Sequence, residues 1–334
     1  MRTRKILTLL FLTCLIPVPS LEAGAGLASK EKPWKPGQKI ELIMASGGTG
    51  GTYYPLAGGI AKLWKDAIPG VNVTVQATGA SVANIRLLGR QEVDLALIQN
   101  DIAEYGRTGR ESFAQTREKH TNYLAIGGLY PEVVQIVVPA DSTIRKIEDL
   151  KGKTVVVGAA ASGTELASRQ ILAAYGMTYG EKNGVKPLFL GFAEGATALR
   201  DHSADGLIIV AGIPSAVLAD VQTATPIGLL SIDANKLNKD NPFYVPFAVD
   251  AGTYKGLDAN FDVVALKAML VVRDEINSQL VYEMTKALFE NAASIGHAKA
   301  REFNVGLATQ GITIPFHPGA AQYFREKGIN VNSP

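Results

Sequence analysis

Residues 39–64 read KIELIMASGGTGGTYYPLAGGIAKLW. Lys39–Met44 has the β-type character of a strand, and it runs into a loop of glycines and hydroxyls, Ser46 to Thr52. Beyond the loop, Leu56, Ile60, Leu63, Trp64 and Ala67 recur on one face at helical spacing. Strand, glycine loop and helix in that order make a βα unit, whose ligand side lies at the strand's carboxyl end. Residues 154–175, TVVVGAAASGTELASRQILAAY, repeat the plan. Thr154–Val157 is the strand, Gly158 to Thr164 the loop, and Ala167, Ile171, Ala174 and Tyr175 the helix stripe, closed by Gly176.

The likeness extends outward from both loops. After the first helix, Val71, Val73 and Val75 alternate as in a half-buried strand, Ser81 is placed to cap a helix over Val82–Leu88, and Asp94–Ile98 is a short apolar strand. After the second come a strand at Leu188–Leu190, a helix at Gly195–Arg200 and an apolar strand at Asp205–Val210. The spacing from Thr52 to Asp94 nearly equals that from Thr164 to Asp205. Two such units predict two α/β lobes rather than one long sheet. The remaining chain, with a strand over Val263–Val272 and a helix over Ser278–Ala293, is expected to return to the first lobe. The expected division is 38–137 plus 233–334 for lobe 1 and 138–232 for lobe 2, with crossovers at Val133–Val138 and near Ile227–Ile232. Lys30–Gly37 reads as a short tail before the first strand.

Composition bounds the function. The chain has 334 residues, 47% hydrophobic and 19% charged, an ordinary globular balance. Its N-terminus has a basic cluster (Arg2, Arg4, Lys5), an apolar stretch from Ile6 to Pro19 and the small-residue site Ala23-Gly24-Ala25. This is the pattern of a cleaved signal peptide over 1–25, which predicts export to the periplasm. Removing those three cations and Glu22 takes the formal charge of +2 to neutral. No basic surplus is left to neutralise phosphates, so nucleic acid is not an expected partner. The single cysteine, Cys14, lies in the leader, and the bulky Phe11-Leu12-Thr13 before it argue against lipidation. The mature chain then has no thiol for disulfides, catalysis or metal ligation.

Each glycine loop leads into a helix N-terminus, where unpaired N–H groups and the helix dipole favour an anion. Ser162 and Glu165 stand at capping-box spacing. Nucleotide motifs fail: Thr164 occupies the place of a phosphate-gripping lysine, and Tyr53 that of the third fingerprint glycine. Gly79-Ala80-Ser81-Val82-Ala83 comes within one residue of a nucleophile elbow, without a nearby histidine. The four histidines, 120, 202, 297 and 317, lack metal-ligand spacing and read as surface or turn residues. Tyr53, Tyr54, Asn84, Gln99-Asn100-Asp101 and Tyr130 stand at or near strand ends, where rigid rings and amides fix a small polar ligand. These features describe a pocket rather than a reaction centre, and no enzyme activity, metal or cofactor is expected.

The sequence closely resembles the TAXI family, the extracytoplasmic solute receptors of tripartite ATP-independent periplasmic (TRAP) transporters. The matching stretches include GGTGGTYYPLAGGIAKLW (47–64), ATGASVANIRLL (77–88), EVDLALIQND (92–101) and LYPEVVQIVVPADS (129–142). DLKGKTVVVGAAASGTELASRQIL (149–172), VAGIPSA (210–216), FYVPFAVDAGTY (243–254) and PFHPGAAQYFREKG (315–328) follow in order. The resemblance implies a type II periplasmic-binding fold, two α/β lobes joined by crossover strands with the ligand cleft between them. It implies a monomer that closes on a small organic acid or amino acid, glutamate- or 2-oxoglutarate-like, and delivers it to TRAP-type membrane permease subunits. Carried over by position, the ligand contacts are Gly51, Thr52, Tyr53, Ser81, Asn84 and Gln99 in one lobe and Ser162, Gly163, Thr164 across the cleft, with Gly212 bordering it. Two departures bear on the pocket: Ala161 stands where the family has glycine, and Ser203-Ala204-Asp205-Gly206-Leu207 replaces a Gly-x-x-Asp-Ala-x-Phe pattern. Other readings of such a clamp are a sensory or adaptor protein signalling to a membrane kinase, and a periplasmic hydrolase.

Overall fold

The computed structural model describes residues 31–180, 184–238 and 241–334; the predicted leader and Cys14 lie outside them. In chain order, β1 (Ile40–Ala45), α1 (Tyr53–Ala67), β2 (Val71–Gln76), α2 (Ser81–Gly89), β3 (Leu95–Gln99) and α3 (Asn100–Thr108) lead into a long β4 (Tyr123–Pro139). Next come β5 (Thr154–Val156), α4 (Gly163–Ala174), β6 (Thr178–Tyr179), β7 (Gly184–Leu188), α5 (Phe192–Arg200) and β8 (Gly206–Ala211). The chain continues through α6 (Ala216–Val221), β9 (Ile227–Leu230), α7 (Ala234–Asn238) and β10 (Val245–Val249) to β11 (Phe261–Arg273), α8 (Ser278–Glu290) and α9 (Pro318–Glu326).

The strands follow the path β2-β1-β3-β11-β4-β8-β5-β7-β6, with β10 added to β11 and β9 to β4. β2, β1 and β3 are mutually parallel, as are β8, β5, β7 and β6. Between these blocks lies the antiparallel pair of β4 and β11. This is the type II periplasmic-binding arrangement expected from the resemblance. The halves are not separate sheets, however, because the long pair carries the hydrogen bonding continuously from one block to the other.

Register fixes where the blocks point. In β3, Gln99 stands beside Ala268 of β11, which in turn pairs with Tyr130 of β4. β8 runs antiparallel to β4, with Ala211 opposite Val133. Both parallel blocks therefore aim their carboxyl ends at the same short stretch of β4, Tyr130 to Val133.

Apolar burial forms two clusters. One gathers Leu56, Ile60, Trp64, Ile98, Leu270, Leu280 and Phe324, and the other Val137, Val156, Ile171, Leu199, Ile208 and Leu230. The Trp64 indole N–H, buried in the first, donates to the Met284 carbonyl at 2.8 Å and ties α1 to α8.

Some local expectations need correction. The stretch before β1 is anchored, with Trp34 buried and the Lys32 N–H donating to the Glu275 carbonyl at 2.7 Å. Ser81 does not cap α2; it is the helix's first residue, and its hydroxyl instead accepts from the Gln99 N–H at 3.2 Å. His317 is fully buried, not a surface turn residue: its Nδ1 caps α9 by accepting from the Gly319 N–H at 3.3 Å.

Candidate functional site

A cavity of about 600 Å³ lies where the strand ends converge. The loops following β1, β2, β5 and β7 contribute to its wall, together with the last residues of β3 and β8. This is the carboxyl-end position at which open α/β sheets hold ligands. The first turns of α1, α4 and α5 border it, so N–H groups without intrahelical partners are presented there.

Eight of the ten residues carried over by resemblance are brought together in this wall: Gly51, Thr52, Tyr53, Ser81, Gln99, Ser162, Gly163 and Thr164. Asn84 lies behind the wall. Its amide donates to the Ser46 carbonyl at 2.6 Å and the Leu97 carbonyl at 2.8 Å, and its oxygen accepts from the Thr78 hydroxyl at 2.6 Å. Asn84 thus fastens the first loop to β3 rather than facing the cavity. Gly212 is also outside the wall; a methyl group on it would stand 2.8 Å from the Lys299 side chain. Among the other polar candidates, Asn100 is spent on the backbone of Lys267 and Gly311, and Tyr54 lies at the surface.

Loops of the two parallel blocks approach closely on the cavity rim. A methyl group on Gly50 would sit 3.3 Å from the Ala193 nitrogen at the start of α5. One on Gly163 would overlap the Gln99 side-chain oxygen, at 1.9 Å. Ser162 caps α4 as its spacing predicts, accepting from the Glu165 N–H at 3.0 Å.

Two alanines in these loops hold backbone conformations that favour glycine. Ala161 has φ 61°, and Ala80, just before α2, has φ 69° and ψ −149°. The second is close to a region that is almost glycine-only. The two strained segments are joined, since the Ala83 N–H donates to the Ala161 carbonyl at 3.1 Å. The departure noted at Ala161 therefore carries a steric cost in a loop that lines the cavity.

Glu132, absent from the sequence-derived set, also lines the cavity. It comes from β4 at the point where both blocks aim, and only 3% of it is exposed. The Tyr53 hydroxyl donates to one of its oxygens at 2.8 Å, and the Tyr130 hydroxyl approaches the other at 3.5 Å. Burial pushes its carboxyl up to about 8, against the pull of the Tyr53 hydroxyl and with a further push from Asp101. Asp101, fully buried at the start of α3, is raised to about 7, again by burial. The Phe189–Ala193 segment was equally missed; it supplies the apolar part of the wall opposite the first loop. The signal for Glu132 is an acid inside an apolar run, since Glu is almost never fully buried unless paired. Among the described residues lining the cavity there is no Lys, Arg or His, so Ser81 has no imidazole beside it. No group of acidic, histidine or cysteine side chains suited to a metal occurs among the described residues.

A family model described as NMT1-like matches residues 44–328. Among solved structures, a Bordetella bronchiseptica RB50 protein is similar at TM-score 0.51 and 16% identity, over 86% of this chain and 82% of that one. The alkanesulfonate-binding protein SsuA from Xanthomonas axonopodis pv. citri, bound to MOPS, is 14% identical over 87% and 91% of the two chains, with TM-score 0.48. The probable amino-acid ABC transporter extracellular-binding protein ytmK from Bacillus subtilis is 16% identical over 79% and 98%, with TM-score 0.47. At these identities the likeness is one of fold.

Proposed function

Because the chain belongs to the NMT1-like family, we propose that it is an extracytoplasmic solute receptor that captures one small organic acid or amino acid and hands it to a TRAP-type membrane permease. The observation that carries this reading is the convergence of strand ends from both parallel blocks on one cavity, walled by glycine- and hydroxyl-rich loops. Backbone N–H groups at the bordering helix starts suit a ligand carboxylate without any cationic side chain. The cavity's size suits a small molecule.

In this reading the halves, 38–137 plus 233–334 and 138–232, act as lobes that close on ligand because the closed form alone lets both contact it. The rim contacts of Gly50 with Ala193 and of Gly163 with Gln99 are what closure would tighten. The ligand contacts would be the eight wall residues above, with Asn84 holding the first loop in place. Residues 1–25 serve as a cleaved leader to the periplasm, where the protein works as a monomer. Among the described residues no helix is long and apolar enough to cross a membrane, which is consistent with the permease being a separate chain.

The experiment is a thermal-shift screen of the refolded protein, stripped of carried-over ligand, against amino and organic acids. A true ligand at 100 times its Kd adds roughly 2.7 kcal/mol of stability and a clear rise in melting temperature. A correctly refolded protein that no small carboxylate stabilises would overturn the proposal.

A further inference from the structure

The cavity's charge is one-sided. Its wall carries the carboxyl groups of Glu132 and Glu194, and no Lys, Arg or His stands against them among the described lining residues. Glu132 is also without an ion pair among the described residues, although it is buried. Burial alone works against its anion, but the hydrogen-bond donors around it suit one once a cation stands beside it. Both of its oxygens are met by phenol hydroxyls, from Tyr53 at 2.8 Å and Tyr130 at 3.5 Å, and a hydroxyl solvates an ionised carboxylate as a donor. Gln99 lines the same cavity, 3% exposed, and its side-chain oxygen is a buried acceptor with no partner among the described residues. Buried acceptors are normally satisfied, and a buried carboxylate is normally paired. What this part of the wall lacks is a positively charged donor.

We infer that Glu132 is the seat for a ligand ammonium group, so that the cavity takes zwitterionic amino acids in preference to the same acids without the amino group. This rests on the receptor reading and narrows it. The ligand carboxylate goes to the N–H groups at the helix starts, and the ammonium to Glu132, with the Gln99 oxygen as a second acceptor. A dicarboxylate or a 2-oxo acid would instead set a second acceptor against the Glu132 carboxyl and the unpartnered Gln99 oxygen. Desolvated charge pairs discriminate strongly, because truncating one partner leaves the other buried and alone.

The test is calorimetric titration of the refolded protein with matched pairs: L-glutamate and glutarate, L-leucine and 4-methylpentanoate, L-alanine and propanoate. The expected result is that at least one amino acid binds about a hundredfold or more tighter than its partner acid. Glu132→Gln, similar in shape, should abolish that ratio by weakening the amino acid and leaving the acid unchanged or improved. Near-UV circular dichroism checks that the variant is folded, and the wild-type ratio decides the matter if it is not. Equal or tighter binding of the acids by the wild type overturns the inference and leaves the receptor reading standing. An amino-acid preference that survives in a folded Glu132→Gln variant also overturns it. Binding of no compound in either class overturns the receptor reading, and the inference with it.

Discussion

Glu132 and Ala80 show the same site placing two kinds of cost on single residues. Glu132 bears a desolvation cost, and Ala80 a backbone cost. Backbone in the region Ala80 occupies costs of order 1–3 kcal/mol for a residue with a Cβ. Glycine there removes most of that and gives back about 0.4–1 kcal/mol through the freer unfolded chain. Ala80→Gly should therefore raise the unfolding free energy by about 1 kcal/mol, measured by urea titration; a loss of stability would mean that the methyl group carries compensating contacts. Neither residue was legible as such. In LYPEVVQIVV, Glu132 and Gln135 stand three apart and so fall on opposite faces of the strand, and both are buried because β4 is covered on both faces. A sequence shows the residue type at a strained position but not the torsion angle, so Ala80 passed as an ordinary loop alanine, whereas the departure at Ala161 could be seen against a family pattern.

The glycine loops and their helices were read correctly as elements, because a period change from strand to helix across a glycine run is a strong local signal. Their joint position was not local information. Gly163 illustrates the difference: its role is set by Gln99, far away in sequence, whose side chain occupies the space a Cβ would need. Gly163→Ala should push Gln99 aside and weaken ligand binding tenfold or more, with a stability change under about 1 kcal/mol because the displaced atoms end a flexible side chain. Titration of the variant with the tightest ligand checks this; unchanged affinity would separate Gln99 from recognition. The expected crossover Val133–Val138 covers only about a third of β4 for a related reason. Gly127-Gly128 resembles a turn, yet added methyl groups there would strike the Phe289 ring at 2.9 Å and the Lys267 side chain at 2.6 Å. Those glycines admit neighbours to the strand's faces, so the strand runs through them. The short elements β6, β10, α6 and α7 left no periodic trace long enough to read.

At the scale of the molecule, buried titratable groups set how stability follows pH. Asp101 and Glu132 have folded values near 7 and 8, raised by burial, so the folded protein holds protons that the unfolded chain releases at lower pH. Their contribution is full below the unfolded carboxyl values and is lost as pH rises through 7 and 8. His317 runs the other way: burial lowers it to about 4, so its contribution is full above its unfolded value and is lost as pH falls towards 4. Between pH 6.5 and 8 the two carboxyl groups outweigh the tail of the unfolded His317 titration, and the melting temperature of the ligand-free protein should fall across that range. Glu132→Gln should flatten the fall, and a wild-type melting temperature that rises from 6.5 to 8 would contradict this account. The two lobes remain a reading of the sequence and of two apolar clusters, but the strands between them are explicit. β4 and β11 pass from one block to the other, paired along most of their length with register shifts after Ala268 and after Leu270. Any motion of one half against the other must therefore be absorbed as bending and twist of a two-stranded ribbon that carries two register shifts. Such a joint behaves as a leaf spring rather than a pin: it stores elastic energy when displaced and returns the halves along one path.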